Sequence, residues 1–396
     1  MHRSLPILLI AIAASVLFPD HASADDFWSQ TRRGTNSFNL TETVEHLAAA
    51  KAFGAGFVRM TIDKWHGNSR DFLAGDMDHY DGLMPEDVAR LRTILDGAAQ
   101  VRMPGLLTAL GVPGDRWVQH NGNTQDDKLW RDKAWWDKAA RFWGDIARTF
   151  KGHPAIVGYN VLNEPLPEWR TGLDDANDTP ANRDAWCARM KDTAHDLNGL
   201  YRKIVAAIRA EDADVPIILD LGFYAKPMAA RCLEPIDDPH VVYDVHMYEP
   251  YEYTTYDLNR GKWRYPGRAP YYGKMRDWNA EALAAHLRPF IDWADAHRIG
   301  HDRLLLGEFG CDRRVDGCAD YLRDVIAAAE AVRIHWAFYA FREDGWDAMD
   351  YELGSGPTPS GYWESVNRSV DPNLPRHPNP LSQVLRDALN RTSVAQ

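Results

Sequence analysis

The chain has 396 residues, a formal net charge of −12 and 45% apolar residues. This is enough hydrophobic mass for a large core, and with no basic cluster a nucleic-acid partner is not expected. Beyond the first two dozen residues no apolar run reaches the roughly 18 residues of a membrane span, which excludes membrane insertion. The 15 Trp and 16 Tyr are both core material and natural platforms for the apolar C–H faces of sugars.

In chain order, Arg3, the apolar stretch "LPILLIAIAASVLF" and the small residues "ASA" ending at Ala24 read as a signal peptide over residues 1–24. The expected product is a secreted or periplasmic protein of residues 25–396, folded as a single catalytic domain and a monomer. No cysteine follows the cleavage site, so no lipid anchor is expected.

Short apolar runs then alternate with longer segments of helical period. Strands are predicted at "RRGTNSF" (32–38), "GFVRMTI" (56–62), "MPGLLTAL" (103–110), "AIVGYNVL" (155–162), "VPIILDL" (215–221), "VVYDVHMY" (241–248), "RLLLGEF" (303–309) and "IHWAFYAF" (334–341). Between them Thr41 caps a helix "ETVEHLAAAKAF", Pro85 opens another, and Asn279 caps a third that Pro289 should kink. Further helices are expected at 133–150, 182–211, 319–332 and 380–391. The connection "GFYAKPMAARCLEP" holds at most a short helix.

Eight nearly continuous apolar strands alternating with helices indicate an α/β fold: a (β/α)8 TIM barrel with a parallel sheet covered on both faces. Such a barrel needs about 250 residues, which leaves roughly 120 for elaboration. These fall after predicted strands, at 111–136, 249–278 and 342–378. Barrel sites form where the strands finish, so these aromatic-rich strand-end loops should wall a cleft. Cys187, Cys232, Cys311 and Cys318 are even in number in an exported chain and lack zinc-type spacing, so disulfides are expected. Cys311 and Cys318 are close enough to close a small loop.

Polar residues at strand C-termini should meet in one mouth: Arg59, Asn163, Glu164, His246, Tyr248 and Glu308. Two of them are glutamates on different strands, the fourth and the seventh. A facing pair of carboxylates is the apparatus of glycoside hydrolysis. Singly, each of these residues has an ordinary structural reading: a solvated loop acid, an ion-pair arginine, a satisfied strand histidine.

At these strand ends the sequence resembles the cellulase-like glycoside hydrolases of family 5. "NVLNEP" (160–165) resembles their strand-four motif, "LLLGEFG" (304–310) their strand-seven glutamate, "GFVRM" (56–60) their strand-two arginine and "DVHMY" (244–248) their strand-six His-x-Tyr. The resemblance runs from about residue 32 to 341. It implies a retaining endo-β-glycosidase that hydrolyses β-linked polysaccharide or oligosaccharide of glucan or mannan type by double displacement, with Glu308 as nucleophile, Glu164 as acid/base, and no metal or organic cofactor.

Within that scheme Arg59 holds Glu308 ionised and Tyr248 donates to the same carboxylate. His246 sits near Glu164, and Asn163 binds the sugar 2-hydroxyl. Two positions depart from the family pattern: Leu110 stands where many members carry histidine, and Tyr339 stands at the strand-eight tryptophan position. Trp65, Trp117, Trp169, Trp263, Trp278 and Trp346 lie on or near strand-end loops as candidate sugar platforms. "WRDKAWWDKAARFW" (130–143) reads as helix packing, and Glu249 and Glu252, after strand six, as loop acids or polar sugar contacts, with no role assigned.

The competing readings are a non-catalytic polysaccharide-binding barrel, a transglycosylase using the same two glutamates, and a metal-dependent barrel hydrolase. The last predicts His-x-His after strand one, which "GTNSFN" lacks.

Overall fold

A computed structural model describes residues 27–344, 346–358, 360, 362 and 376–391. The signal peptide expected over 1–24 lies outside the described residues, as does 363–375 of the third long loop.

Eight parallel strands close into a barrel: β1 (Arg33–Ser37), β2 (Val58–Thr61), β3 (Gly105–Thr108), β4 (Ile156–Asn160), β5 (Ile217–Asp220), β6 (Val241–Met247), β9 (Leu304–Phe309) and β10 (His335–Phe338). They run in the cyclic order β1-β10-β9-β6-β5-β4-β3-β2. Each coincides with a predicted apolar run and is shorter at one or both ends, because ladder hydrogen bonding stops before the apolar pattern does. The remaining strands, β7 (Gly267–Tyr271) and β8 (Lys274–Trp278), form an antiparallel hairpin inside the loop after β6. Its two-residue turn, Tyr272 and Gly273, has positive φ at both positions, the conformation that matches strand twist. Tyr-Gly is not the usual Asn-Gly signature, so the sequence did not mark it.

The barrel is clothed by α1 (Val44–Phe53), α2 (Pro85–Val101), α3 (Ala134–Phe150), α4 (Pro180–Met190), α5 (Leu197–Glu211), α6 (Ala280–His297), α7 (Cys318–Ala331) and α8 (Pro380–Leu389). Two expectations are corrected. The α1 cap is Thr43, not Thr41: Thr43 Oγ1 accepts the His46 N–H, while the Thr41 N–H donates to Asp344. The helix expected over 182–211 is two helices, because the Asp196 carboxylate caps a fresh start at α5 by accepting from the Gly199 N–H. Pro289 lies inside α6, which continues through it as one element. The fifth connection contains only short turns, over Gly222–Ala225 and Pro227–Cys232. Both disulfides form, Cys187–Cys232 tying α4 to that connection and Cys311–Cys318 closing the small loop after β9.

The core has two parts. Sheet and helices bury a continuous apolar layer, in which Trp130, Trp136 and Trp143 of the 130–143 segment are all packed. Inside the barrel, Phe57, Leu106, Ile218, Val242, Leu305 and Ala337 form a separate cluster that Phe27 and Trp28 close. Because strand side chains alternate faces, residues two further along the same strands also point inward. There the interior becomes polar: Arg59, Thr108, Asp220 and Asp244 are all buried. One more step brings the mouth.

Candidate active site

Arg59 on β2 is the hub. Fully buried, its guanidinium donates to Glu308 Oε1 (2.5 Å), Asn36 Oδ1 (3.0 Å), Asn160 Oδ1 (2.7 and 3.0 Å) and Asn163 Oδ1 (2.6 Å). These acceptors come from β1, β4 and β9 and the segment after β4, so one planar five-donor fork gathers four chain segments. The Tyr248 hydroxyl completes the hold on Glu308, donating to Oε2 at 2.7 Å. Burial would raise the Glu308 carboxyl, but the charges of His246 and Arg59, with the hydrogen bonds from Tyr248 and Arg59, hold it below the usual carboxylate range.

Glu164 is positioned differently. Its backbone is left-handed, with φ 48°, a conformation disfavoured for a residue with a side chain. The Asp220 carboxylate stabilises it by accepting the Glu164 N–H at 3.0 Å, and the Asn163 N–H donates to the Ala109 carbonyl of the neighbouring segment at 2.8 Å. So anchored, the Glu164 carboxylate reaches His246 Nδ1 at 2.8 Å. Burial raises its pKa, and the nearby Glu308 charge adds to this against the opposing effect of His246. The two glutamates are thus pushed apart in proton affinity while candidate oxygens of both, with a ring nitrogen of His246, lie within 4.8 Å of one another.

His246 owes its place to a register shift. β6 and β9 pair Val245 with Leu306 and then His246 with Glu308, skipping Gly307. The skipped residue donates its N–H to Asp244 Oδ1 at 2.6 Å, and a Cβ at that position would lie 2.1 Å from the other Asp244 oxygen. Only glycine fits there, and the shift turns Glu308 toward His246. Burial opposes a charge on His246, but Glu308 above all, with Asp244, Glu164 and Asp220, pushes its pKa well up. Its Nε2 faces Asp220 and Asp244 oxygens at 3.6 and 3.7 Å. Burial, then the charge of Asp244, pushes Asp220 up to about 7.

The structure therefore brings Arg59, Asn163, Glu164, His246, Tyr248 and Glu308 into one constellation. Tyr339 borders it after β10, its ring 5.2 Å from Phe38 and 6.1 Å from Trp346. Of the candidate platforms, Trp65 and Trp278 are buried, Trp117, Trp169 and Trp263 half-buried and Trp346 exposed. Leu110 is core. Glu249 is buried rather than a solvated loop acid, and although burial opposes it His286 and Lys226 hold it down at about 2. Asn36, Asn160, Asp220 and Asp244 were absent from the sequence-derived site. Asp220 carried a usable signal, a carboxylate at the end of a predicted strand, and Asp244 another, two residues before His246 on the same face.

Two triads, Glu164–His246–Glu308 and Asp220–Asp244–His246, bring three metal-ligating side chains close together. Both Glu308 oxygens and both Asp220 oxygens are already committed, to Arg59, Tyr248, Asn160 and the Glu164 N–H, whereas Asp244 Oδ2 has no hydrogen-bond partner; a cation beside Glu308 would meet the guanidinium.

Residues 30–345 match the family model described as Cellulase (glycosyl hydrolase family 5). Solved structures of similar shape include endoglucanase Cel5A from Thermotoga maritima, with TM-score 0.60 and 17% identity over 92% of this chain and all of that one. Another is Pseudomonas stutzeri endoglucanase Cel5A, with TM-score 0.59 and 18% identity over 92% of this chain and 95% of that one. At such identities the likeness is one of fold. A curated "Beta-xylosidase" from Phanerodontia chrysosporium is 24% identical over 67% of this chain, which spans 51% of that protein's length.

Proposed function

This chain belongs to the cellulase family, glycosyl hydrolase family 5, and from that premise we propose that it is an exported enzyme hydrolysing β-linked polysaccharide or oligosaccharide of glucan or mannan type, with retention at the anomeric carbon. The observation that carries the reading is the pair Glu164 and Glu308, close together with opposite proton affinities. Retaining enzymes hold their carboxyl groups about 5–5.5 Å apart, against about 6.5–9.5 Å where a water must fit between substrate and base. Oxygens within 4.8 Å favour the first arrangement.

In this mechanism Glu308, ionised under Arg59 and Tyr248, attacks the anomeric carbon. The glycosidic C–O bond breaks as the Glu308 ester bond forms, and Glu164 delivers its proton to the departing oxygen. Esterification removes the Glu308 charge that raises Glu164, so the Glu164 pKa falls and the group stands as the base needed in reverse: a carboxylate that takes a proton from the incoming water as its oxygen displaces the Glu308 ester. His246, whose Nδ1 lies 2.8 Å from Glu164 Oε1, stabilises that carboxylate. Asn163, oriented by Arg59, is placed to bind the sugar 2-hydroxyl, and Tyr339 to line the reacting subsite. The endoglucanase shape of the solved neighbours supports a β-glycan substrate; the disulfides and the apolar leader support export.

The test is incubation with a panel of β-linked glucans, mannans and xylans, reading product anomers by NMR at early times. Retention is expected, with activity abolished in Glu308→Ala. Glu164→Ala should lower kcat on glycans about 10²–10⁴-fold and less on substrates with an activated leaving group. Near wild-type hydrolysis by Glu308→Ala, or initial products of inverted configuration, would sink the reading.

A further inference from the structure

Across much of this acidic surface an exposed cation finds a carboxylate, as Arg148 does in Glu211 at 2.7 Å, Lys191 in Glu234 at 2.9 Å and Arg231 in Asp184 at 2.6 Å. The loop after β6 departs from that pattern. Between Leu258 and Ala280 it carries Arg260, Lys262, Arg264, Arg268, Lys274 and Arg276 against one acid, Asp277, in a chain whose net charge is −12. All six cations are exposed. Arg268 meets Asp277 at 3.6 Å, and none of the other five has a carboxylate partner among the described residues.

The cations are scattered in sequence, and the fold gathers them. In the β7–β8 hairpin Arg268 stands opposite Asp277, Ala269 opposite Arg276 and Tyr271 opposite Lys274. The scaffold beneath them is fixed: Ala269 and Trp278 are buried, and the Tyr271 ring meets Trp278 edge-on with centres 5.6 Å apart. Ahead of the hairpin, the buried Asn259 side chain donates to the Tyr253 and Trp263 carbonyls at 2.9 and 3.0 Å and accepts the Trp263 N–H at 2.9 Å. Two cations stand over rings of this scaffold, Arg276 4.5 Å from the centre of Tyr271 and Lys262 5.3 Å from that of Trp263. A cation held on a ring face keeps its charge available to a further partner, unlike one neutralised by a carboxylate.

Like charges gathered on a rigid element repel one another, and a polyanion lying across them offsets that repulsion. Protecting the free edges of a two-stranded sheet calls for a charge or two, not for unpaired cations that begin back at Arg260. Position identifies the polyanion. The hairpin rises from β6, and β6 and β5 lie between the strands that lead to Glu308 and Glu164. Its tip reaches to the β5 side, where the Tyr272 hydroxyl accepts from Lys226 Nζ at 2.9 Å. A polymer laid across the two glutamates passes beside this cationic wall.

We propose that the wall is a docking surface for an acidic glycan, a β-linked polysaccharide whose carboxylate substituents pair with Arg264, Lys274 and Arg276 while its backbone occupies the mouth. The inference rests on the hydrolase reading above and narrows its substrate to a charged polymer.

Native gels cast with carboxymethyl-cellulose or hydroxyethyl-cellulose, which share one glucan backbone, measure binding by retardation. In a Glu308→Ala background that leaves the polymers uncut, the parent is compared with Arg264→Gln/Lys274→Gln/Arg276→Gln and with the charge-conserving Arg264→Lys/Lys274→Arg/Arg276→Lys. At low salt the parent should bind the carboxymethyl polymer about tenfold more tightly than the neutral one. That preference should vanish in the Gln variant, persist in the charge-conserving one, and disappear in about 1 M NaCl, where charges are screened beyond about 3 Å. A parent without the preference, a Gln variant that keeps it, or a charge-conserving variant that loses it would overturn the inference. Retention on phosphatidylglycerol vesicles without preference for the carboxymethyl polymer would overturn it in favour of a membrane surface. Charge-dependent binding in a protein whose wild type cleaves no β-glycan would instead overturn the hydrolase reading, and with it the claim that the docked polymer is substrate.

Discussion

At the scale of single residues, the candidate site gives two identical side chains different environments. Glu308 receives a guanidinium and a phenol hydroxyl, Glu164 a backbone anchor and burial. The pH dependence of kcat/KM should therefore be bell-shaped, its acid limb set by Glu308 losing its proton and its alkaline limb by Glu164 losing its own. Tyr248→Phe removes a hydrogen bond made to the charged form of Glu308, so the Glu308 pKa rises. The acid limb is expected to move up by about one pH unit while the alkaline limb moves less. An acid limb that stays in place would show that Tyr248 has no part in holding Glu308 ionised.

At the scale of elements, attachment between neighbours matters more than propensity. The Cys187–Cys232 bridge spans 45 residues and ties α4 to the turn after β5, while Cys311–Cys318 spans 7. By loop-closure entropy, Cys187→Ser/Cys232→Ser should cost about 4 kcal/mol and Cys311→Ser/Cys318→Ser about 2.4 kcal/mol. Denaturant unfolding of the two double variants checks the order. On β10, His335 is buried and neutral: its Nδ1 accepts the Arg32 N–H at 2.9 Å and its Nε2 donates to the Asp302 carbonyl at 2.8 Å. Burial depresses its pKa from 6.5 to about 4. The unfolded chain therefore binds an extra proton between those values. The stability His335 contributes is complete above pH 6.5 and is lost as pH falls through 4. His335→Gln should flatten the unfolding free energy over that window by up to about 1.4 kcal/mol per pH unit. An unchanged slope would mean that His335 is protonated in the folded protein.

At the scale of the whole molecule, the barrel separates stability from chemistry along its axis. The end opposite the mouth is closed by Trp28, whose ring lies 5.3 Å from Phe57 and 4.8 Å from His335, and whose Nε1 donates to the Val157 carbonyl at 2.7 Å. Trp28→Ala should lower unfolding stability by about 3 kcal/mol. Activity per folded molecule should hold at wild-type level, since the polar layer stands between this plug and the glutamates. A drop in kcat at a temperature where the variant is fully folded would contradict that separation. The stacking of apolar plug, buried Arg59–Asp220–Asp244 layer and mouth also explains why the strands looked almost uniformly apolar: the polar positions within them face one another, not water.

Periodicity alone located all eight barrel strands and most helices, because burying a parallel sheet on both faces leaves a long apolar signal that each segment carries locally. Strand-end position singled out Glu164 and Glu308 for the same reason. What depended on partners distant in sequence was not legible: Asn36, Asn160, Asp220 and Asp244 are ordinary polar residues until Arg59, Glu164 and Gly307 reach them. The β6–β9 register shift that turns Glu308 toward His246, and the left-handed turn after β5, are equally invisible in one dimension. Local pattern determined the barrel and its two acids. Tertiary contact alone sets the proton affinity of Glu164 above that of Glu308, because that affinity follows from the charges, donors and burial that only the closed barrel brings within reach.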